Sequence, residues 1–209
     1  MDNTVGRLND KLTSKLTNQQ KSLIIGSILG DGYIRQLDGR SDAFLEINHS
    51  LKAKDYVDHK YKILKNICES APKERYTDEE KTKKAYRFYT RQHKEITDLY
   101  NEFYKNKKKI ISRNLKLDPV ILAIWYMDDG SKTQNKENAA NINIYLNTQQ
   151  FSLSDQKYLL YLLREIGVNA RLNKDKNYYR IRILKESIKT FMDIIDKNII
   201  DSMRYKMYL

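Results

Sequence analysis

Two aspartates occupy an unusual place in this chain, because each closes an apolar run and is followed by glycine. Asp31 ends the run LIIGSILGDG (23–32), and Asp129 ends LAIWYMDDG (122–130). Such runs predict helices that are buried on all sides, and a carboxylate at a helix C-terminus is disfavoured by up to about 1 kcal/mol. A divalent cation with hard oxygen ligands removes that penalty, and Mg²⁺ (or Mn²⁺) is the expected ion. The pair therefore predicts metal-assisted phosphodiester hydrolysis.

The competing interpretation is turn chemistry, since Asp-Gly is a common turn pair. A single Asp-Gly would favour it, but two at corresponding places in a repeat favour the metal. Two lysines lie at nearly equal distances after the two aspartates. Lys109 lies 78 residues after Asp31 (109−31), and Lys206 lies 77 residues after Asp129 (206−129). Each could position the attacking water or neutralise charge on the pentacovalent phosphate. Both also fit ordinary surface lysines, because the chain is rich in lysine.

The order of segments indicates an internal repeat. An alternating apolar segment begins 13 residues after each aspartate, at Phe44 and at Ile142 (44−31 and 142−129). A helical stretch, an aromatic and basic strand and a polar helix start then follow in both copies. The predicted order is helix, strand, helix, strand, helix in each. The predicted divisions are an N-terminal extension (1–16), a first half (17–112) and a second half (113–209), with a charged excursion at 70–85 and a polar loop at 133–140.

Helix ends are also predicted. Thr17 or Asn18 can cap the first apolar helix, and Asp118 followed by proline can cap the second. Gly32 and Gly130 are expected to end the two helices by adopting a left-handed backbone conformation. The two apolar helices are expected to pack against each other as the seam between the copies. Gly26 and Gly30 would allow close approach there, whereas Ile124 and Asp128 stand at the matching places of the second helix.

Charge and aromatic content indicate a polyanionic partner. The net charge is +12, and the chain contains 16 tyrosines. A period of two sends Arg180 and Arg182 to the face of their strand opposite Tyr179, Ile181 and Ile183, and it sends Arg87, Tyr89 and Arg91 away from Tyr86 and Phe88. A half-buried strand with arginine and tyrosine on its exposed face suits phosphates and base edges. Nucleic acid is therefore the expected partner, ahead of an anionic membrane surface or a merely solvated face.

Several other classes find no support. A lone Cys68 excludes an internal disulfide and a cysteine zinc cluster, so an intracellular setting is expected. No apolar run approaches the roughly 20 residues of a membrane span. His49, His59 and His93 show no metal-ligand spacing.

The two apolar runs resemble the signature motifs of LAGLIDADG homing endonucleases, in the monomeric double-motif branch. The resemblance is strongest at WYMDDGSK (125–132) and extends over most of residues 17–209, including NKKKII (106–111) and YLNTQQFS (145–152). It implies an α+β fold of two pseudo-symmetric αββαββα halves, packed through their signature helices, with antiparallel β-saddles on DNA. Each half would then contain four strands, including Tyr33-Ile34-Arg35 and a strand near residue 75.

The resemblance also implies roles for individual residues. Asp31 and Asp129 would bind metal, with Gly30 and Asp128 beside them, and Lys109 and Lys206 would assist catalysis. Leu29 and Met127 depart from the acidic residue that many members have there, although the metal positions are intact. The residues expected to contact DNA are Arg35, Arg87, Tyr89, Arg91, Lys132, Arg171, Arg180 and Arg182.

The resemblance thus implies a monomeric, Mg²⁺-dependent endonuclease that cuts both strands of a long asymmetric site and leaves short 3′ overhangs. The alternative is a non-cleaving nucleic-acid-binding protein of the same fold, such as an intron RNA maturase. The expected location is an organelle or the bacterial cytoplasm.

Overall fold

The computed structural model describes residues 15–134 and 142–207. The chain separates into two compact units, Met1–Asn101 and Glu102–Leu209. Most of the predicted N-terminal extension and most of the predicted 133–140 loop lie outside the described residues.

From residue 15 onwards, the first unit contains four strands between three helices. Its elements are α1 (Asn18–Leu29), β1 (Tyr33–Arg35), β2 (Phe44–Ser50), α2 (Lys54–Leu64), β3 (Lys73–Tyr76), β4 (Lys84–Tyr89) and α3 (Lys94–Phe103). Short 3-10 turns flank α2 at Leu51–Ala53 and Lys65–Ile67. The strands form one antiparallel sheet in the order β1-β2-β4-β3.

The second unit repeats this order after a small hairpin. The hairpin pairs β5 (Tyr104–Lys105) with β6 (Lys108–Lys109) across a tight turn with positive φ at Asn106 and Lys107. The repeated elements are α4 (Pro119–Asp129), β7 (Gly130–Gln134), β8 (Ile142–Leu146), α5 (Leu153–Glu165), β9 (Ala170–Asp175), β10 (Tyr178–Ile183) and α6 (Ile188–Ile195). Its sheet has the equivalent order β7-β8-β10-β9. Three 3-10 turns, Lys185–Ser187, Asp196–Asn198 and Asp201–Lys206, surround and follow α6.

The α+β class and the αββαββα order are confirmed within each unit, but the count of two strands per half was wrong. The alternating pattern alone missed β1 and β3 in the first unit and β7 and β9 in the second, whereas the four strands per half implied by the resemblance, with one at Tyr33–Arg35 and one near residue 75, are confirmed. All four residues of β3 are exposed, so β3 shows no apolar period of two. A strand of three residues, such as β1, is too short to show one at all.

The two apolar helices begin as predicted. The side chain of Thr17 accepts a hydrogen bond from the Gln20 N–H, and the side-chain oxygen of Gln20 accepts one from the Thr17 N–H, which completes a capping box. The carboxylate of Asp118 accepts from the Ile121 N–H at 2.8 Å, with proline at the first helical position. Nearly every residue of both apolar runs is buried, with Ile25 half-buried.

Gly32 and Gly130 do not adopt the predicted left-handed conformation. Positive φ among the described glycines occurs at Gly39 and Gly167, and neither Gly32 nor Gly130 is left-handed. They are required by close approach instead. A Cβ on Gly32 would lie 2.7 Å from the Ser27 Cβ, and a Cβ on Gly130 would lie 2.0 Å from Cδ2 of Tyr126. The chain therefore leaves each helix by folding tightly over its last turn.

Within residues 15–134 and 142–207, no helix has the length and apolar character needed to cross a membrane.

Candidate functional site

Asp31 lies in the short connection between α1 and β1. Helix α1 ends at Leu29, and the Gly30 N–H closes its last turn on the Gly26 and Ser27 carbonyls. Asp31 is exposed between two buried glycines, so the backbone is fixed while the carboxylate points to solvent. This is the geometry of a ligand at a helix C-terminus.

His49 of β2 lies beside this carboxylate. Its Nδ1 is 3.5 Å from the Asp31 Oδ2, although the two residues are 18 apart in sequence. The imidazole is nearly buried and packs on the ring of Tyr56, with 5.4 Å between centroids. The Lys60 ammonium also lies over the Tyr56 ring, 4.5 Å from its centroid. The ring of His49 is thus held in place by the core of its unit.

An open hollow of about 1090 Å³ adjoins Asp31 and His49. Its rim contains three lysines, Lys52, Lys83 and Lys84, besides hydroxyl and amide groups. Cations around a carboxylate site suit a ligand that carries phosphate on either side of the reacting group.

Asp129 occupies the corresponding place in the second unit. It is the last residue of α4, and its backbone carbonyl accepts from the Asn147 N–H at 3.1 Å. Its Oδ2 accepts a long hydrogen bond of 3.4 Å from the Gln150 Nε2. Asp128 is half-buried in the same turn of the helix. The second unit therefore places the Gln150 amide beside its carboxylate, where the first places an imidazole.

Lys206 closes the C-terminus of the helix that carries Asp129. Its Nζ donates to the Met127 carbonyl at 2.6 Å and to the Tyr126 carbonyl at 3.4 Å. The Tyr126 hydroxyl donates back to the Lys206 carbonyl at 2.7 Å. Burial raises the pKa of Tyr126, so this hydroxyl keeps its proton. An ammonium at a helix C-terminus offsets the negative end of the macrodipole, next to the aspartate.

Lys109 lies in the β5–β6 hairpin and pairs in register with Tyr104. It is half-buried, and the Ile110 N–H beside it donates to the Phe103 carbonyl at 2.8 Å. Its catalytic role remains a prediction, as does that of Lys206.

The first sheet presents arginines and aromatic rings on one face. Arg35 lies over the Tyr33 ring at 5.3 Å, and Arg87 lies over the Tyr89 ring at 5.2 Å. The Tyr89 ring meets Phe44 edge-on at 5.9 Å. The predicted alternation in β4 is confirmed, because Tyr86 and Phe88 are buried while Arg87 and Tyr89 are half-exposed.

A buried carboxylate organises the cations of this face. The Oε2 of Glu46 lies 2.5 Å from the Arg35 Nε, and its Oε1 lies 4.0 Å from the Arg87 Nη1. Glu46 is 7% exposed, and hydrogen bonding to it raises the pKa of Arg35 against a smaller effect of burial. One buried anion thus fixes two arginines on two different strands.

The second sheet has an equivalent face. The Arg180 guanidinium lies over the Tyr145 ring at 3.9 Å, and Arg182 donates to the Asn143 side chain. Arg171 stands directly opposite Arg182 in register. Like charges directly opposite on paired strands are destabilising. Three arginines gathered on one face therefore suit a bound polyanion. Tyr179 lies on the same face of β10 as Ile181 but is 40% exposed, so the buried apolar part of this face ends before Tyr179.

Two residues predicted to contact DNA lie apart from the arginines described above, and their DNA contacts remain predictions. Lys132 is opposite Ile144 in register, on the face away from Arg182, and its Nζ donates to the Met207 carbonyl at 2.7 Å. Arg91 lies beyond the end of β4, where it lines a hollow with Lys62, Lys65, Asn66 and Cys68.

Sequence reasoning missed His49, Glu46 and Gln150. Strand pairing supplies the signal for His49. The β1–β2 register places Tyr33 opposite Glu46, and the same register extended by two residues places Asp31 opposite Asn48, the neighbour of His49. That signal requires β1 to be recognised first.

Two duplicated units, each with an aspartate at the end of a buried helix and a sheet face rich in arginine and tyrosine, define a class of α+β proteins suited to a polyanion. The chain belongs to the LAGLIDADG DNA endonuclease family, which matches residues 21–191.

Individual relatives agree with this assignment. The chain is 30% identical over 203 residues to the probable intron-encoded endonuclease 1 of Wickerhamomyces canadensis, covering 94% of this chain and 87% of that protein. It is 32% identical over 209 residues to the DNA endonuclease I-ChuI of Chlamydomonas applanata, covering 92% and 95%. Cytochrome b mRNA maturase bI2 of Saccharomyces cerevisiae is 28% identical over 224 residues, which span 99% of this chain and 49% of the maturase.

A solved structure is similar over the whole chain. The homing endonuclease I-WcaI bound to its DNA recognition sequence has a TM-score of 0.87 at 28% identity, covering 100% of this chain and 95% of that one.

Proposed function

We propose that the protein is a site-specific homing endonuclease that makes a double-strand break in a long asymmetric DNA target. It acts as a monomer, because one chain supplies both halves. It works inside the cell, in an organelle or the bacterial cytoplasm.

One observation carries the proposal. In each unit, the first strand of a sheet begins within two residues of the aspartate that closes the apolar run, and the exposed face of that sheet holds arginines on aromatic rings. The carboxylate and the polyanion-binding face are therefore parts of one continuous chain segment. The names of I-ChuI and I-WcaI support DNA as the polyanion.

The residues fit a hard divalent cation. Asp31 and Asp129 offer exposed or half-exposed carboxylate oxygens at fixed backbone positions, and Asp128 and the Gly30 carbonyl are further oxygen donors beside them. Such donors suit Mg²⁺ or Mn²⁺. The chemistry that a bound Mg²⁺ supplies is polarisation of the scissile phosphate and activation of water.

The surrounding side chains position these groups. His49 holds the Asp31 carboxylate in one orientation from a core-packed ring. Lys206 fixes the end of α4 and places positive charge near the phosphate that Asp129 would serve. The arginine faces bind the DNA on either side and so set its register.

The test is a selection from a library of randomised long duplexes incubated with the protein and Mg²⁺. The proposal predicts recovery of one family of related sites cut on both strands, and no cleavage when EDTA replaces the metal. Tight binding of a duplex with no cleavage in Mg²⁺ or Mn²⁺ would contradict it.

A second candidate function is binding of intron RNA in splicing. The relationship to the cytochrome b mRNA maturase bI2, which spans 99% of this chain, favours it.

A further inference from the structure

A column of stacked cations and rings runs along helix α5 in the second unit. Its members are Arg113, Tyr158, Tyr161 and Arg164, called here the α5 column. Arg113 lies 4.6 Å from the Tyr158 centroid, and Arg164 lies 5.8 Å from the Tyr161 centroid. Between them, the two tyrosine rings are stacked at 6.1 Å with 19° between their planes.

One end of the column is held rigidly. The Arg113 Nη2 is 3.0 Å from Oδ1 of the buried Asp155, and the other oxygen of Asp155 accepts from the Ser152 hydroxyl at 2.9 Å. The Tyr158 hydroxyl donates to the Arg113 carbonyl at 2.8 Å. Arg113 and Tyr158 therefore fix one another before any ligand arrives, which reduces the entropy lost on binding.

The other end is open to solvent on two sides. Tyr161 is 45% exposed and forms a ridge between two hollows. The hollow towards Arg113 has a volume of about 520 Å³ and is also lined by Asn114 and Lys116. The hollow towards Arg164 has a volume of about 250 Å³ and is also lined by Lys157 and Asn169.

The column lies on the side of the sheet away from the DNA-binding arginines. Helix α5 packs on β9 and β10 through its buried leucines, such as Leu159 and Leu163. These meet the face that carries Ile181, whereas Arg180 and Arg182 belong to the opposite face. A ligand of the column is thus separate from the DNA on the sheet.

We propose that the α5 column binds single-stranded RNA. Unpaired bases stack on exposed tyrosine and arginine planes, whereas a duplex hides its base faces. Arg113, Lys116, Lys157 and Arg164 outnumber the single acidic side chain in the two hollows, Glu165, and so favour a phosphate backbone. The choice of RNA over single-stranded DNA rests on the second candidate function given above.

The test measures binding of a fluorescent 12-nucleotide oligouridylate by anisotropy, using the full chain. Tyr161→Ala and Arg164→Ala should each weaken binding about tenfold, as expected for the loss of one stacking platform. Tyr161→Phe, which keeps the ring, should stay within about twofold of wild type. Tyr76→Ala is the matched control, because Tyr76 is 44% exposed and also packs with a lysine, but lies in the first unit.

Three outcomes would overturn the proposal. The first is that wild type does not bind the oligouridylate, whereas binding of a folded intron RNA without binding of the oligouridylate would leave the second candidate function standing. The second is that wild type binds but Tyr161→Ala and Arg164→Ala do not weaken binding, which places the RNA elsewhere. The third is that oligothymidylate binds as tightly as oligouridylate, which removes the selectivity for RNA. Cleavage of the selected DNA by Tyr161→Ala should equal that of wild type, so the endonuclease proposal is judged separately.

Discussion

The Nδ1 of His49 lies 3.5 Å from the Oδ2 of Asp31, joining the second strand of the first unit to the end of its first helix. The second unit has no histidine in this place, since Asp129 meets the Gln150 amide there instead. The two halves therefore share a fold but differ next to their carboxylates. Such a difference suits a DNA site whose two halves differ.

His49→Ala should raise the Mg²⁺ concentration needed for half-maximal cleavage by about tenfold, because groups that orient a metal-binding carboxylate commonly affect affinity or activity 10- to 100-fold. Titration of Mg²⁺ against cleavage of the selected site measures it. His59→Ala, which removes a half-buried histidine of α2, is the control and should leave the titration unchanged. An unaltered titration for His49→Ala would show that His49 is only a packing residue.

Arg180→Ala should weaken binding of the selected duplex by about 1 to 3 kcal/mol if the guanidinium reads a base, and relax selection at that position. If it contacts phosphate instead, the slope of log affinity against log salt should fall by about one. Anisotropy in Ca²⁺ at several salt concentrations separates these results. Lys189→Ala removes an equal charge from an exposed position of α6 and should change neither quantity. Unchanged affinity, specificity and slope for Arg180→Ala would mean that the DNA face is misplaced.

Gly130→Ala should lower the free energy of unfolding by about 1 to 3 kcal/mol, as overpacking does. The new Cβ would lie 2.0 Å from Cδ2 and 2.4 Å from the carbonyl oxygen of Tyr126. Gly39→Ala is the comparison, since Gly39 has positive φ and nothing within 4 Å, so that only backbone strain of about 1 kcal/mol is expected. Urea unfolding of both variants gives the answer. A Gly130→Ala protein as stable as wild type would refute the close approach.

Stability should fall on acidification because of His59. Burial lowers the pKa of His59, and the neighbouring Lys60 and Lys62 add to this effect. The unfolded chain therefore binds a proton more readily, so the stability contributed by neutral His59 is complete above about pH 6.5 and is lost as the pH falls through the lower folded pKa. The urea midpoint should drop between pH 7 and pH 5, and less steeply in His59→Gln. Parallel curves for the two proteins would contradict this assignment.

The repeat, the capped helices and the inner strands could be predicted because they depend on local signals. Thr17 and Asp118 are caps by side-chain chemistry, and β4 shows a period of two that its burial confirms. The exposed strand β3 and the short strand β1 carry no such signal, so they needed the family resemblance.

The surroundings of the aspartates could not be predicted, because they depend on strand register. His49 meets Asp31, and Glu46 meets both Arg35 and Arg87, only after β1, β2 and β4 are aligned. The DNA contact of Lys132 remains a prediction, but its register, which directs its ammonium to the Met207 carbonyl, could not be derived from the sequence. The requirement for glycine at 32 and 130 was predicted, but for the wrong reason.

The most direct test of the central claim compares Asp31→Asn and Asp129→Asn on the selected DNA site, with each strand resolved on a denaturing gel. Double-strand cleavage in Mg²⁺ should fall by a factor on the order of 100 or more in each variant, because an amide is a poor substitute for a carboxylate ligand. Both variants should still bind the DNA site in Ca²⁺-free buffer and should keep their thermal stability. The control Asp38→Asn, which removes an exposed carboxylate of the first unit, should cut as wild type does. Wild-type cleavage by both Asp31→Asn and Asp129→Asn would contradict the account.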